Sequence, residues 1–185
     1  MLVEVKAPKG TYCGPLVLAA MTGEDIKNVE DEVIKLRYRL YPDNDRADKL
    51  CRSVIAKAGV KTMLSSEIIE LVGIKTGMRR GQYTDHDKSV SIGSFVRTAP
   101  KNTLYLINSN SHFLTAFDGK ILDTYSDGKL VDAADHPWAG VPLEFTWSFV
   151  KKNLGWNVPL ESGLVAALCR DLGKLLCVRS LRDLI

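Results

Sequence analysis

Apolar positions in the first part of the chain recur at helical spacing. Leu16 to Met21 form a short apolar run, and Thr22-Gly23 end it. Pro15 suits the first helical position, where its missing N–H costs nothing. Thr22-Gly23-Glu24-Asp25 resembles a capping box, after which Ile26, Val29, Val33 and Leu36 share one helical face. Residues 41–45 are expected to be a loop. Residues 46–58 are expected to form an amphipathic helix with Leu50, Val54 and Ala58 on one face and Gly59 at its end. Ser65-Ser66 opens a shorter helix through Val72, closed by Gly73. From Val90 the period becomes that of strands, over 94–97, 103–108, 112–117 and 120–125. A helical half followed by a sheet half predicts an α+β fold with a cleft between the halves. In the tail, Leu164, Leu168, Leu172, Leu175 and Leu181 alternate with Arg170, Lys174, Arg179 and Arg182. That pattern predicts one helix, or two broken at Gly173. It is expected to pack on the same domain, with a dimerising or basic surface helix as the other readings.

Composition narrows the class. The chain has 185 residues, 45% hydrophobic and 25% charged, which suits one globular domain with a real core. The expected division is a main domain over 1–155 and a helical extension over 156–185. A formal net charge of +3 is too mild to imply nucleic acid. Cys13, Cys51, Cys169 and Cys177 have neither zinc-site nor disulfide-framework spacing. The first residues lack the basic start and apolar run of a signal peptide. No apolar stretch reaches the ~18 residues of a membrane helix. A reduced, cytoplasmic protein without metal or other cofactor is the expectation.

The candidate chemistry begins at Cys13, in Thr11-Tyr12-Cys13-Gly14-Pro15 followed by the apolar helix. A cysteine at a helix N-terminus feels the positive end of the helix dipole, which stabilises a thiolate. A nucleophilic thiol needs a base, and the chain offers His86, His112 and His136. His112 opens a strand ended by the hairpin signal Asp118-Gly119. A two-residue loop sets Phe117 opposite Lys120, Leu114 opposite Asp123 and His112 opposite Tyr125. His112 and Leu114 share a face, so Asp123 is a diagonal neighbour of His112. An aspartate there can accept one imidazole N–H and leave the other nitrogen to Cys13. Asp127 is the other diagonal position, but Asp127-Gly128 has the character of a turn. His86 and His136 are expected in solvated loops. Tyr125, Trp138 and Trp147 can line a cleft or fill the core.

Cys13-Gly14-Pro15 with its helix, His112-Phe113 opening a late strand, and Asp123 beyond it resemble papain-fold cysteine peptidases. The nearest branch is the bacteriocin-processing peptidases of ABC exporters and their small phage and bacterial relatives. The resemblance covers roughly residues 5–130. It implies a papain-like fold, attack by Cys13 on a carbonyl, proton transfer by His112 and orientation of His112 by Asp123. It also implies a peptide or protein substrate. One departure stands out. These peptidases carry a glutamine shortly before the cysteine as an oxyanion donor, and residues 4–12 contain none. Such a donor is worth ~3 kcal/mol. Thr11 and the backbone N–H of Cys13 are the candidates left for that task.

Two other functions compete. A papain-fold pseudoenzyme would bind or inhibit a partner through the same cleft. Alternatively, the helices at 46–58 and 65–72 with Arg79-Arg80 could form a helix-turn-helix. Glu67 and Glu70 would face phosphates badly there, so nucleic acid is disfavoured. The C-terminal helix is a further candidate contact surface, for a dimer or a partner.

Overall fold

Helix α1 (Cys13–Thr22) is buried on every side from Gly14 to Met21, as expected of an apolar helix enclosed by protein. Its first hydrogen bond runs from Leu16 N–H to the Tyr12 carbonyl at 3.2 Å. It ends at Gly23, whose φ of 75° lets its N–H turn back to Ala19. Pro15 is third in the helix rather than first. That position still belongs to the turn whose N–H groups have no intrahelical acceptor. The computed structural model describes residues 2–40 and 63–151, all within the unit Met1–Lys152. The expected helix at 46–58, Cys51, Cys169, Cys177 and the extension 156–185 lie outside the described residues.

Helix α2 (Ile26–Leu40) starts differently from the expectation. Asp25 accepts from Lys27 N–H at 2.8 Å, whereas the Thr22 hydroxyl turns back to the Leu18 carbonyl. Val29, Val33 and Leu36 are buried, as their spacing predicts. Helix α3 (Ser65–Thr76) runs past Gly73 to Gly77, where φ is 67°. Its buried face of Glu67, Ile68, Leu71 and Val72 holds it in the core. Arg37 of α2 grips Glu67 of α3 through two hydrogen bonds, at 2.5 and 2.9 Å.

Six strands form one antiparallel sheet in the order β1-β6-β2-β3-β4-β5. They are β1 (Arg79–Asp85), β2 (Leu104–Ser109), β3 (His112–Phe117), β4 (Lys120–Leu122), β5 (Val131–Asp132) and β6 (Phe145–Val150). The protein is therefore α+β, with its first helices ahead of the sheet along the chain. Residues 94–97, expected as a strand, belong to helix α4 (Ile92–Thr98), which Ser91 caps through Ser94 N–H. A strand over 94–97 leaves out Ile92, which is buried together with Val96. The i, i+4 spacing of that pair marks a helical face. Strand β1 escapes the sequence pattern for the opposite reason. Six of its seven residues are exposed, so no alternation marks it.

The middle of the sheet is covered on both faces. Leu104, Leu106, Phe113, Leu122 and Phe149 pack with α1, α2 and α3. Tyr105, Ile107, Leu114, Ala116 and Ile121 pack with α4 and with Ala133 and Leu143 of the long connection. This double burial explains why β2 and β3 read as nearly continuous apolar runs.

Both turns beside β3 are two-residue turns with positive φ at each position. Asp118 and Gly119 have φ of 51° and 83°, and Asn110 and Ser111 have 48° and 59°. The pair Phe117↔Lys120 has the expected register. Ser111 carries a side chain in a backbone region that suits glycine. Ser111→Gly should therefore stabilise the protein by about 1 kcal/mol. Urea denaturation reads the change, and an unchanged or lowered midpoint would contradict the strain.

Candidate active site

The first residue of a helix and the first residue of a strand meet at this site. Helix α1 packs along β3, which sets Cys13 beside His112 and Phe113. Tyr12, extended at φ −81° and ψ 152°, delivers the chain to the helix with Cys13 in its first turn. Burial pushes the Cys13 thiol up. The hydrogen bond to His112, the backbone N–H groups of Phe113 and Gly14, and the charge of His112 outweigh it and hold the thiol below its ordinary value of 9.0. The dipole of α1 acts in the same direction.

His112 uses its other nitrogen for Asp123. Its Nε2 donates to Asp123 Oδ2 at 2.8 Å, which leaves Nδ1 for the sulfur. Burial opposes charge on the ring. The bonds to Asp123 and Cys13 and their negative charges prevail and raise His112 to about 9. Asp123 is fully buried. Burial pushes its carboxyl up, yet hydrogen bonds from His112 and His136 bring it down to about 2. The structure thus brings Cys13, His112 and Asp123 together, with His112 hydrogen-bonded to Asp123 and set against the Cys13 thiol.

Asp123 reaches His112 by a route other than the expected strand pair. Strand β4 stops pairing at Leu122, and Asp123 opens a turn. Its Oδ1 accepts from Tyr125 N–H at 2.8 Å and Ser126 N–H at 3.0 Å. Its own N–H donates to Ser126 Oγ, and its carbonyl accepts from Gly128 N–H. Asp127 and Gly128 have φ of 52° and 72°, which bears out the turn predicted there. The N-terminal segment fastens this turn to α1. Val3 N–H donates to the Ala20 carbonyl at 3.0 Å, and Val5 N–H donates to the Gly128 carbonyl at 2.9 Å. Leu130 N–H donates to Glu4 Oε1. A side chain at residue 128 would run into the Val5 carbonyl.

The other sequence candidates fall in different places. The Thr11 hydroxyl donates to the Pro8 carbonyl at 2.7 Å, which engages its one proton within its own turn. The first N–H groups of α1 have no intrahelical acceptor. His86 is half-buried rather than solvated. Its Nε2 meets Thr146 Oγ1 at 2.9 Å, and its ring stands edge-on to Phe95. Burial lowers its pKa, against the pull of Asp85. Tyr125 and Trp138 pack on the His112 ring with centroids 5.0 and 4.7 Å away. Trp147 of β6 instead meets Tyr83 of β1.

His136 is the largest correction. The expectation of a solvated loop fails, because His136 is buried with its Nε2 donating to Asp123 Oδ1 at 3.0 Å. Its Nδ1 accepts from Trp138 N–H at 3.1 Å. Nothing periodic marks residues 133–143, so its burial follows only from tertiary packing. Among the described residues no cluster of His, Cys, Asp and Glu is arranged to hold a metal. No family profile, curated protein or solved structure matches the chain, so chemistry and geometry carry the functional reading.

Proposed function

We propose that the protein is a cysteine peptidase-like hydrolase or acyl transferase acting on an amide, isopeptide or ester. The carrying observation is that His112 donates to Asp123 and lies against Cys13, close enough to hold the thiol pKa down. Sγ of Cys13 attacks the substrate carbonyl carbon. The C–N or C–O bond to the leaving group then breaks, and His112 passes its proton to that group. The acyl group stays on sulfur as a thioester. Water, or an acceptor amine in a transfer reaction, gives a proton to His112 and displaces the sulfur. Asp123 holds the ring and balances its positive charge. Backbone N–H groups at the start of α1, that of Cys13 among them, stabilise the oxyanion. In this reading the helix-sheet arrangement is papain-like and the substrate is a peptide or protein.

The reactive ion pair exists between the lowered thiol pKa and the raised imidazole pKa. Iodoacetamide should therefore label Cys13 faster than Cys51, Cys169 or Cys177 at pH 6. The acid limb of its profile should lie below the ordinary thiol value. Turnover should fall again as pH rises through about 9, where His112 loses its proton. His112→Ala should slow labelling at pH 6 by about tenfold or more, because each unit of thiol pKa is a factor of ten in thiolate. A single inflection at the ordinary thiol value of 9.0, unmoved by His112→Ala, would sink the reading.

A second reading is a binding protein built on the same site. It is favoured by the engagement of Thr11, the side-chain oxyanion candidate of the sequence, with the Pro8 carbonyl. Cysteine-directed probes and a panel of acyl substrates separate the two. Turnover lost in Cys13→Ala supports the enzyme. A reactive Cys13 that gives no turnover and no probe adduct supports the binder.

A further inference from the structure

We infer that His136 is a positioning residue of the relay, fixing Asp123 and the ring of His112 through one closed circuit of contacts. This rests on the proposed role of Cys13 and His112. The circuit runs from His112 Nε2 to Asp123 Oδ2, from Asp123 Oδ1 to His136 Nε2, and from His136 Nδ1 to Trp138 N–H. It closes where the Trp138 ring packs on the His112 ring at 4.7 Å.

The hydrogen bonds dictate the state of each member. Asp123 Oδ1 is a carboxylate acceptor, so His136 Nε2 carries a proton. The Trp138 N–H needs an acceptor, so His136 Nδ1 carries none. His136 is thus held as the Nε2–H tautomer by two partners on opposite sides of its ring. Its side chain is fully buried, like that of Asp123. Asp123 Oδ1 takes three donors, from Tyr125, Ser126 and His136. That fixes the direction in which Oδ2 is offered to His112. Trp138 carries the same constraint back to the imidazole face, so that the ring is held by its edge and by its side. Removing the outer partners of metal-bound histidines typically costs roughly 10–100-fold, and the lower end of that range sets the scale for this relay.

A purely structural histidine would change stability alone, whereas a positioning one also shifts the titration of His112. The test begins with wild type and His112→Ala, comparing Cys13 alkylation from pH 5 to 10 and, where a substrate is found, turnover. Wild-type labelling that ignores His112 overturns the parent reading. Given dependence on His112, His136→Phe removes the donor and keeps a ring. It should slow labelling at pH 6 by about tenfold. The NMR-detected titration of His112 should move down from about 9, because the imidazolium loses its fixed counterion. His136→Gln can still donate to Asp123 and should recover most of both effects. A folded His136→Phe with unchanged labelling and unchanged His112 titration overturns the proposal and leaves the relay intact. So does a folded His136→Gln as impaired as His136→Phe. If His136→Phe does not fold, nitrogen-15 shifts of wild type at pH 7 decide. A proton on Nε2 of His136 supports the circuit, and a proton on Nδ1 overturns it.

Discussion

Asp123→Asn should lower turnover by about three to four orders of magnitude while leaving the protein folded. The amide oxygen of Asn can occupy the Oδ1 position and still accept from Tyr125, Ser126 and His136. Its NH2 group then faces His112 Nε2, which must become an acceptor. The imidazolium that pairs with the Cys13 thiolate is then lost, and the ring rests neutral with its one proton on Nδ1. The same exchange in a serine-protease triad traps the wrong tautomer and sets the scale of the loss. Labelling of Cys13 should shift toward the pH of an ordinary thiol. The acid stability profile should change as well. Asp123 falls from 3.8 to about 2 on folding, so it contributes about 2 kcal/mol above pH ~4 that is lost as pH falls through about 2. Asn does not titrate, so the variant should lack that slope. Turnover within tenfold of wild type would refute the tautomer argument.

Glu67→Ala should cost about 3–5 kcal/mol, the largest stability loss expected from a single change here. Glu67 and Arg37 are only 3% and 7% exposed. Removing the carboxylate leaves a guanidinium in the core without its bidentate partner. It also removes the acceptor for Leu64 N–H at the start of α3. The paired change Arg37→Met with Glu67→Leu should lose much less, because both buried charges leave together. Chemical denaturation of the two variants makes the comparison. Equal losses would show that shape rather than charge pairing holds α2 to α3.

The parts of the fold legible in the sequence are those whose signal is local. Helix α1, the face of α2 and the 118–119 hairpin follow from periodicity and turn chemistry at Gly23 and Gly119. Cys13, His112 and Asp123 are legible because each lies next to such a signal: a helix start, a strand start and a hairpin. Strand register alone is an incomplete reason for Asp123, since the turn at Tyr125 and Ser126 aims the carboxylate. Strand β1 is invisible because its partner β6 lies far along the chain and its own residues face water. Helix α4 resembles a strand when its buried pair Ile92 and Val96 is not taken together. His136 has no local mark at all. Its place depends on the path of an irregular loop over a sheet that must already exist.

The last described strand has a consequence for the newly made protein. β6 lies between β1 and β2, so both earlier strands emerge from the ribosome before the neighbour that they share. The pairing is long-range and therefore slow. Cys13 leaves the ribosome before His112 and Asp123. Until the sheet assembles, its thiol has neither an imidazolium nor a fixed helix start beside it, and a thiol in that state is a poor nucleophile at neutral pH. In the proposed enzyme, reactivity therefore waits for the sheet, and a nascent or stalled chain would carry its cysteine in a quiet form.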